Sequence, residues 1–262
     1  MKKQMRKWIG ICLACMALTA SAQVKSDSLR VLFIGNSFTY FNELPQTVSQ
    51  IAASQGIKLS ATQFAPGGYY MKQHVEHEKL QKLIRQGGWD FVVIQEQSAA
   101  LAMPSDTVLQ NSYPAAHTLD SLIHAHNAAA RVVFYMTWGH KDGCQEEVDN
   151  YPLIYSYEGM QDRLRINYLE MTYRNKAWCA PVGMAWQQIR KERPDYVLYM
   201  PDRSHPSMLG SYLAANVIFC TLFPKPYQTD VLLGMPAEQG EYIQQVAQKT
   251  VLNNLKLLNI EK

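Results

Sequence analysis

Two short runs, Val31-Leu32-Phe33-Ile34 and Phe91-Val92-Val93-Ile94, contain no polar residue. A strand with one wet face alternates apolar and polar side chains. A strand with no polar position is buried on both faces, the environment of a parallel sheet covered by helices on each side. The rest of the chain fits that demand. Strands are expected over 29–34, 58–64, 91–94, 131–137 and 177–181, and helices over 42–55, 71–85, 115–126, 156–174, 185–191, 208–223 and 237–255. Asn42 is placed to cap the first helix and Gly56 to end it, and Gly87-Gly88 ends the second. Alternation of this kind implies βαβ units, hence an α/β fold: a three-layer α/β/α sandwich around a parallel sheet of about five strands. No repeat, linker or low-complexity segment divides it.

The first 22 residues are expected to be a targeting segment. Lys2, Lys3, Arg6 and Lys7 form a positive start, residues 8–18 are apolar but too short to span a bilayer, and Ala20-Ser21-Ala22 suits cleavage. A lipid-attachment reading at Cys15 is disfavoured by Cys12 and Leu13 ahead of it. The expected organisation is a signal peptide over 1–22 and a single domain over 23–262, exported to the periplasm or the outside of the cell. The chain has 25 Lys+Arg and 22 Asp+Glu. Cleavage removes four basic residues and no acidic one, so the apparent basicity disappears and no nucleic-acid footprint is left. No stable membrane insertion is expected after cleavage. Cys144, Cys179 and Cys220 then remain, too few for a disulfide framework and too scattered for a zinc site. No metal is expected.

Open α/β sheets place ligands at the carboxyl ends of their strands. Ser37 stands there, in Gly35-Asn36-Ser37 after the first apolar run. Alone it reads more readily as an ordinary turn serine, because a hydroxyl is a weak nucleophile without a base. A base is available downstream in Asp202-Arg203-Ser204-His205-Pro206. The three-residue spacing lets the Asp202 carboxylate accept from the His205 Nδ1–H, which turns Nε2 toward a nucleophile. Pro206 suits the first turn of the next helix, and Gly210 and Ala214 allow that helix to pack closely.

These two blocks resemble those of the SGNH/GDSL hydrolases. Gly35-Asn36-Ser37-Phe38-Thr39 is similar to the family's nucleophile block, and Asp202 to Pro206 to its last block, with the acid three residues before the base. The resemblance implies a flavodoxin-like fold over 23–262, a Ser37–His205–Asp202 triad and no cofactor. It also implies an oxyanion hole made from the Ser37 N–H, a glycine N–H after the second strand and an Asn side chain after the third. Gly68 is preferred over Gly67 for the glycine. The Asn is missing: the third strand runs into Gln95-Glu96-Gln97-Ser98. A glutamine amide can donate the same bond, so Gln95 is the first choice and Gln97 the second, both on one side if the strand continues. Glu96 then points away.

Other polar and aromatic residues carry two readings each. Trp138, like Tyr69 and Tyr70, either stacks on a sugar ring or covers the core. His140 and Asp142 follow Trp138 on the same edge. His74 and His77, flanked by Glu76 and Glu78, read as a solvated helix face rather than a metal site. His117, His124 and His126 are expected to have no catalytic role. The activity implied is a secreted serine esterase acting on small acyl groups, O-acetyl above all, carried by carbohydrate. A lipase or thioesterase of the same fold, and an inactive glycan-binding protein, are the alternatives.

Overall fold

The computed structural model describes residues 28–144, 149 and 151–260. The expected signal peptide and its cleavage site lie outside the described residues. Strands β1 (Leu29–Ile34), β2 (Leu59–Phe64), β3 (Phe91–Ile94), β4 (Arg131–Tyr135) and β5 (Trp178–Ala180) form one parallel sheet in the order β2-β1-β3-β4-β5. The two all-apolar runs are its adjacent inner strands. Val31 to Ile34 and Val92 to Ile94 are buried, each large side chain contributing about 1.5–3 kcal/mol by leaving water.

Helices cover both faces, as the apolar runs require. One layer holds α1 (Leu44–Ser54), α6 (Val182–Glu192), α7 (Met208–Leu222) and α8 (Ala237–Leu252), which pack on one another around α7. The other holds α2 (Met71–Glu76), α3 (Glu78–Arg85), α4 (Tyr113–His126) and α5 (Tyr157–Arg174). Helix α7 is buried almost from end to end, from Leu209 to Leu222. Its apolar residues therefore show no single stripe. Gly210 is needed there: a Cβ would come within 2.4 Å of the Leu198 carbonyl oxygen and 2.5 Å of the Trp186 ring.

Three expected boundaries differ from the structure. The helix expected over 71–85 is two helices, because His77 takes an extended conformation (ψ 111°) and its Nδ1 accepts from Lys79 N, capping α3. Asn42 does not cap α1. It lies at φ 51°, and its amide nitrogen donates to the Pro206 carbonyl (3.1 Å) and to Ser211 Oγ (2.8 Å). Pro206 precedes the helix rather than entering it, bridging to Tyr199. Ser207 is the true cap of α7, accepting from Gly210 N at 3.1 Å.

The register decides where function can sit. Ile34 pairs with both Phe64 and Ile94, and Ile94 with Phe134. The strands thus finish level, and the loops after β1, β2, β3 and β4 emerge along one rim. Cys144, Cys179 and Cys220 are buried.

Candidate active site

Ser37 begins a single helical turn, Ser37–Tyr40, directly after β1. Asn36 shapes the turn. Its Oδ1 accepts from Phe38 N at 3.1 Å, and its amide donates to the Tyr69 carbonyl at 3.0 Å. The turn holds the Ser37 hydroxyl 2.8 Å from His205 Nε2, across 168 residues of sequence. His205 Nδ1 lies 2.7 Å from Asp202 Oδ2. The other carboxylate oxygen accepts from Ser204 N (3.0 Å) and His205 N (2.9 Å). One carboxylate therefore folds its own loop and orients the ring. Burial alone would raise the Asp202 carboxyl, but the Ser204 and His205 N–H donors and the imidazole outweigh it and leave it below its usual range. With that acceptor at Nδ1, the neutral ring carries its hydrogen on Nδ1 and presents a lone pair at Nε2.

Aromatic packing fixes the ring plane. Phe41 stacks on His205 at 4.5 Å and Phe38 meets it edge-on at 5.4 Å. Phe38 in turn stacks on Trp138 at 4.6 Å, and Trp138 on Trp186 at 3.9 Å. Asn42 ties the nucleophile turn to the start of α7, so the two distant blocks share one frame. Phe41, Asn42 and Trp186 escape sequence reading because each acts only through a partner far along the chain.

Several expected site residues stand elsewhere. Trp138 is fully buried and stacked on both faces, so no sugar can reach it. Its Nε1–H donates to the Ser204 carbonyl at 3.1 Å, which makes it a support for the His205 loop. Gln95 is also fully buried, and its amide bonds to the nucleophile loop and to its own neighbour. Oε1 accepts from Asn36 N and Thr39 Oγ1, both at 2.9 Å, and Nε2 donates to the Glu96 carbonyl. Nε2 keeps a second N–H, but the side chain has no exposed surface from which to offer it to a substrate. The Gln97 side-chain oxygen Oε1 accepts from Ala99 N (2.8 Å) and Ala100 N (3.0 Å), capping the turn after β3 and leaving Nε2 unbonded among the described residues. The chain turns after Ile94, so the alternation that would have aligned the two glutamines stops there. Glu96 is buried and accepts from Met71 N and Gln97 N, each at 2.8 Å. Gly68 lies at φ 72° in an exposed turn with its N–H unbonded among the described residues. Tyr69 is half-buried with its ring on His74 and His77.

His74 corrects another expectation. It is fully buried, not solvated, and lies 2.9 Å from the Gly35 carbonyl through Nε2. Burial first, with His77 nearby, holds its imidazole down to about 4 despite that bond. An unfolded chain titrates near 6.5, so below that pH the unfolded state takes up a proton that the native state refuses. Stability from neutral His74 is complete above pH 6.5 and is lost as pH falls toward about 4, worth about 3 kcal/mol in all. Denaturant midpoints measured across that window should fall more steeply for the wild type than for His74→Leu. Parallel slopes would contradict the buried neutral ring.

Gly35 is the tightest point of the nucleophile loop. A Cβ there would meet Thr39 Oγ1 at 2.2 Å and Gln95 Oε1 at 2.5 Å. Gly35→Ala should therefore cost about 1–3 kcal/mol in thermal unfolding. Turnover should fall at least about tenfold, because a small misplacement of a reacting group is costly. Wild-type melting and turnover would show that the loop accommodates the methyl.

Among the described residues no three His, Cys, Asp or Glu side chains are grouped to hold a metal ion, and no helix is long and apolar enough to cross a membrane.

Neither a family model nor a curated protein matches the chain. Solved structures do. A protein described as an SGNH hydrolase from Slackia heliotrinireducens is 28% identical, covering 74% of this chain and 99% of its own, with a TM-score of 0.60. A DUF4886 family protein from Bacteroides uniformis is 18% identical over 86% of this chain and 95% of its own, with a TM-score of 0.72. An acetyl xylan esterase is 12% identical over 74% of this chain and all of its own, with a TM-score of 0.56. The last two are similar in fold alone.

Proposed function

We propose, for a chain that belongs to the SGNH/GDSL serine hydrolases, that it is an exported esterase that removes small acyl groups, O-acetyl above all, from carbohydrate. The observation that carries this reading is the line of contacts Ser37 Oγ–His205 Nε2–His205 Nδ1–Asp202 Oδ2, at 2.8 and 2.7 Å. In the proposed reaction His205 takes the Ser37 proton as the oxygen attacks the ester carbonyl. Asp202 stabilises the imidazolium that forms. The Ser37 and Gly68 N–H groups, both unbonded among the described residues, then donate to the charge growing on the carbonyl oxygen. His205 then protonates the leaving alcohol, and water, activated by the same ring, releases the acid.

The likeness to an acetyl xylan esterase is one of fold, and export rests on the sequence pattern of residues 1–22. The alternative, a lipase or thioesterase of the same fold, needs room beside Ser37 for a longer acyl chain, and the cavity of about 380 Å³ beside Tyr70, Ala100, Met103 and Thr107 includes none of the triad residues in its lining. Turnover of chromogenic esters of increasing chain length separates the two. The proposal expects acetate to be preferred and acetate to be released from acetylated polysaccharide. A preference for long chains would replace it with the second reading. No turnover, with glycan binding retained, would make the chain a binding protein.

A further inference from the structure

With Gln95 fully buried, the loop after β3 offers two candidates for the third oxyanion donor, the Gln97 amide nitrogen and Ser98. Ser98 and His140 on the same rim form a pair whose side chains make no other hydrogen bond among the described residues. Ser98 Oγ lies 3.1 Å from His140 Nε2, joining the loop after β3 to the loop after β4. Ser98 is buried, at 7% exposure. His140 is held beside the catalytic loop at both ends of its own segment. Trp138 Nε1 donates to the Ser204 carbonyl and Lys141 N donates to the Arg203 carbonyl at 2.8 Å. The sheet order places Gly68 (after β2) on one side of Ser37 (after β1) and Ser98 (after β3) on the other.

We infer that the Ser98 hydroxyl, oriented by His140, is the donor that takes the place of the missing asparagine. This inference rests on the Ser37 reading above and deepens it. His140 Nε2–H donates to Ser98 Oγ, and the Ser98 O–H then points its hydrogen at the substrate carbonyl oxygen as charge grows there. A hydroxyl already accepting one hydrogen bond is a better donor of its own. Ser98 is thus a catalytic residue and His140 a positioning residue. The pair is not a second nucleophile and base. Among the described residues no carboxylate bonds the His140 ring, and burial, with His205 nearby, holds the imidazole down to about 4, too weak a base for a serine. A neutral ring beside His205 also adds no charge to compete with the imidazolium.

The test compares Ser98→Ala, Ser98→Thr, His140→Phe and Gln97→Leu on a chromogenic acetate, with Ser37→Ala as the reference for the triad. Ser98→Ala should lower kcat about 100-fold with KM within about twofold, since an oxyanion donor acts only in the transition state. Its affinity for a boronic acid, which binds Ser37 as a tetrahedral anion, should fall by the same factor. Ser98→Thr should restore most of both, and His140→Phe should lie between. A structural role for Ser98 would not move kcat and boronate affinity together. Ser98→Ala within about threefold of wild type, or a loss of the expected size on Gln97→Leu instead, would overturn the inference while leaving the triad intact. Activity surviving in Ser37→Ala would instead remove the reading on which it rests.

Discussion

Ser37→Ala is expected to abolish ester hydrolysis, lowering kcat by about 10⁴-fold or more, while leaving the melting temperature near that of the wild type. The two halves of this expectation come from different contacts. Among the described residues the Ser37 hydroxyl bonds only to His205 Nε2, so its loss removes the nucleophile and no other contact of that hydroxyl. The turn is kept by Asn36, Gln95 and Tyr69, none of which touches the Ser37 side chain. Asp202→Asn should follow with a loss of about 10³–10⁴-fold. An asparagine keeps an oxygen for Ser204 N and His205 N, so the loop survives. Its amide donates to Nδ1, however, which places the ring hydrogen on Nε2, where the serine proton has to go. Steady-state kinetics and a thermal melt on both variants check this. Residual activity above about 1% in Ser37→Ala would contradict it.

Trp138→Ala is expected to be the most destabilising single truncation near the site, at about 3–5 kcal/mol. The indole is fully buried between Phe38 and Trp186, and its removal leaves a hole on the face of the nucleophile turn. The lost Nε1–H also frees the Ser204 carbonyl. Trp138→Phe keeps one ring in the stack but loses that bond and the volume of the other ring, so it should melt below wild type by less than Trp138→Ala does, and turn over more slowly because the His205 loop has lost its anchor. Calorimetry and turnover on the pair separate packing from anchoring. A near-neutral Trp138→Ala with weakened glycan binding would return Trp138 to the sugar platform that its position on the rim first implies.

The contrast between Trp138 and Ser37 shows what a sequence can carry. Ser37 is legible because its signal is local: an apolar strand, then Gly-Asn-Ser. Asp202 and His205 are legible for the same reason, since three residues of spacing define their geometry. The sheet is legible because Val31 to Ile34 and Phe91 to Ile94 tolerate only one environment. The residues misread are those whose exposure is decided by distant parts of the chain. Trp138 stands on the rim in sequence, yet Phe38 and Trp186 close over it. His74 sits among charged neighbours, yet its side turns under Gly35. Gln95 has the right chemistry for an oxyanion, but its side chain is fully buried, bonded to Asn36 and Thr39. The break at His77 is hidden because the apolar spacing continues across it while the backbone does not.

The central claim is that the Ser37 oxygen is the atom that becomes acylated. Its most direct test is mass spectrometry of the protein after reaction with a fluorophosphonate, followed by peptide mapping. A single phosphonyl adduct on the peptide bearing Ser37, absent when His205 is replaced by alanine, is the predicted result. No adduct, or an adduct on another serine, would contradict the account.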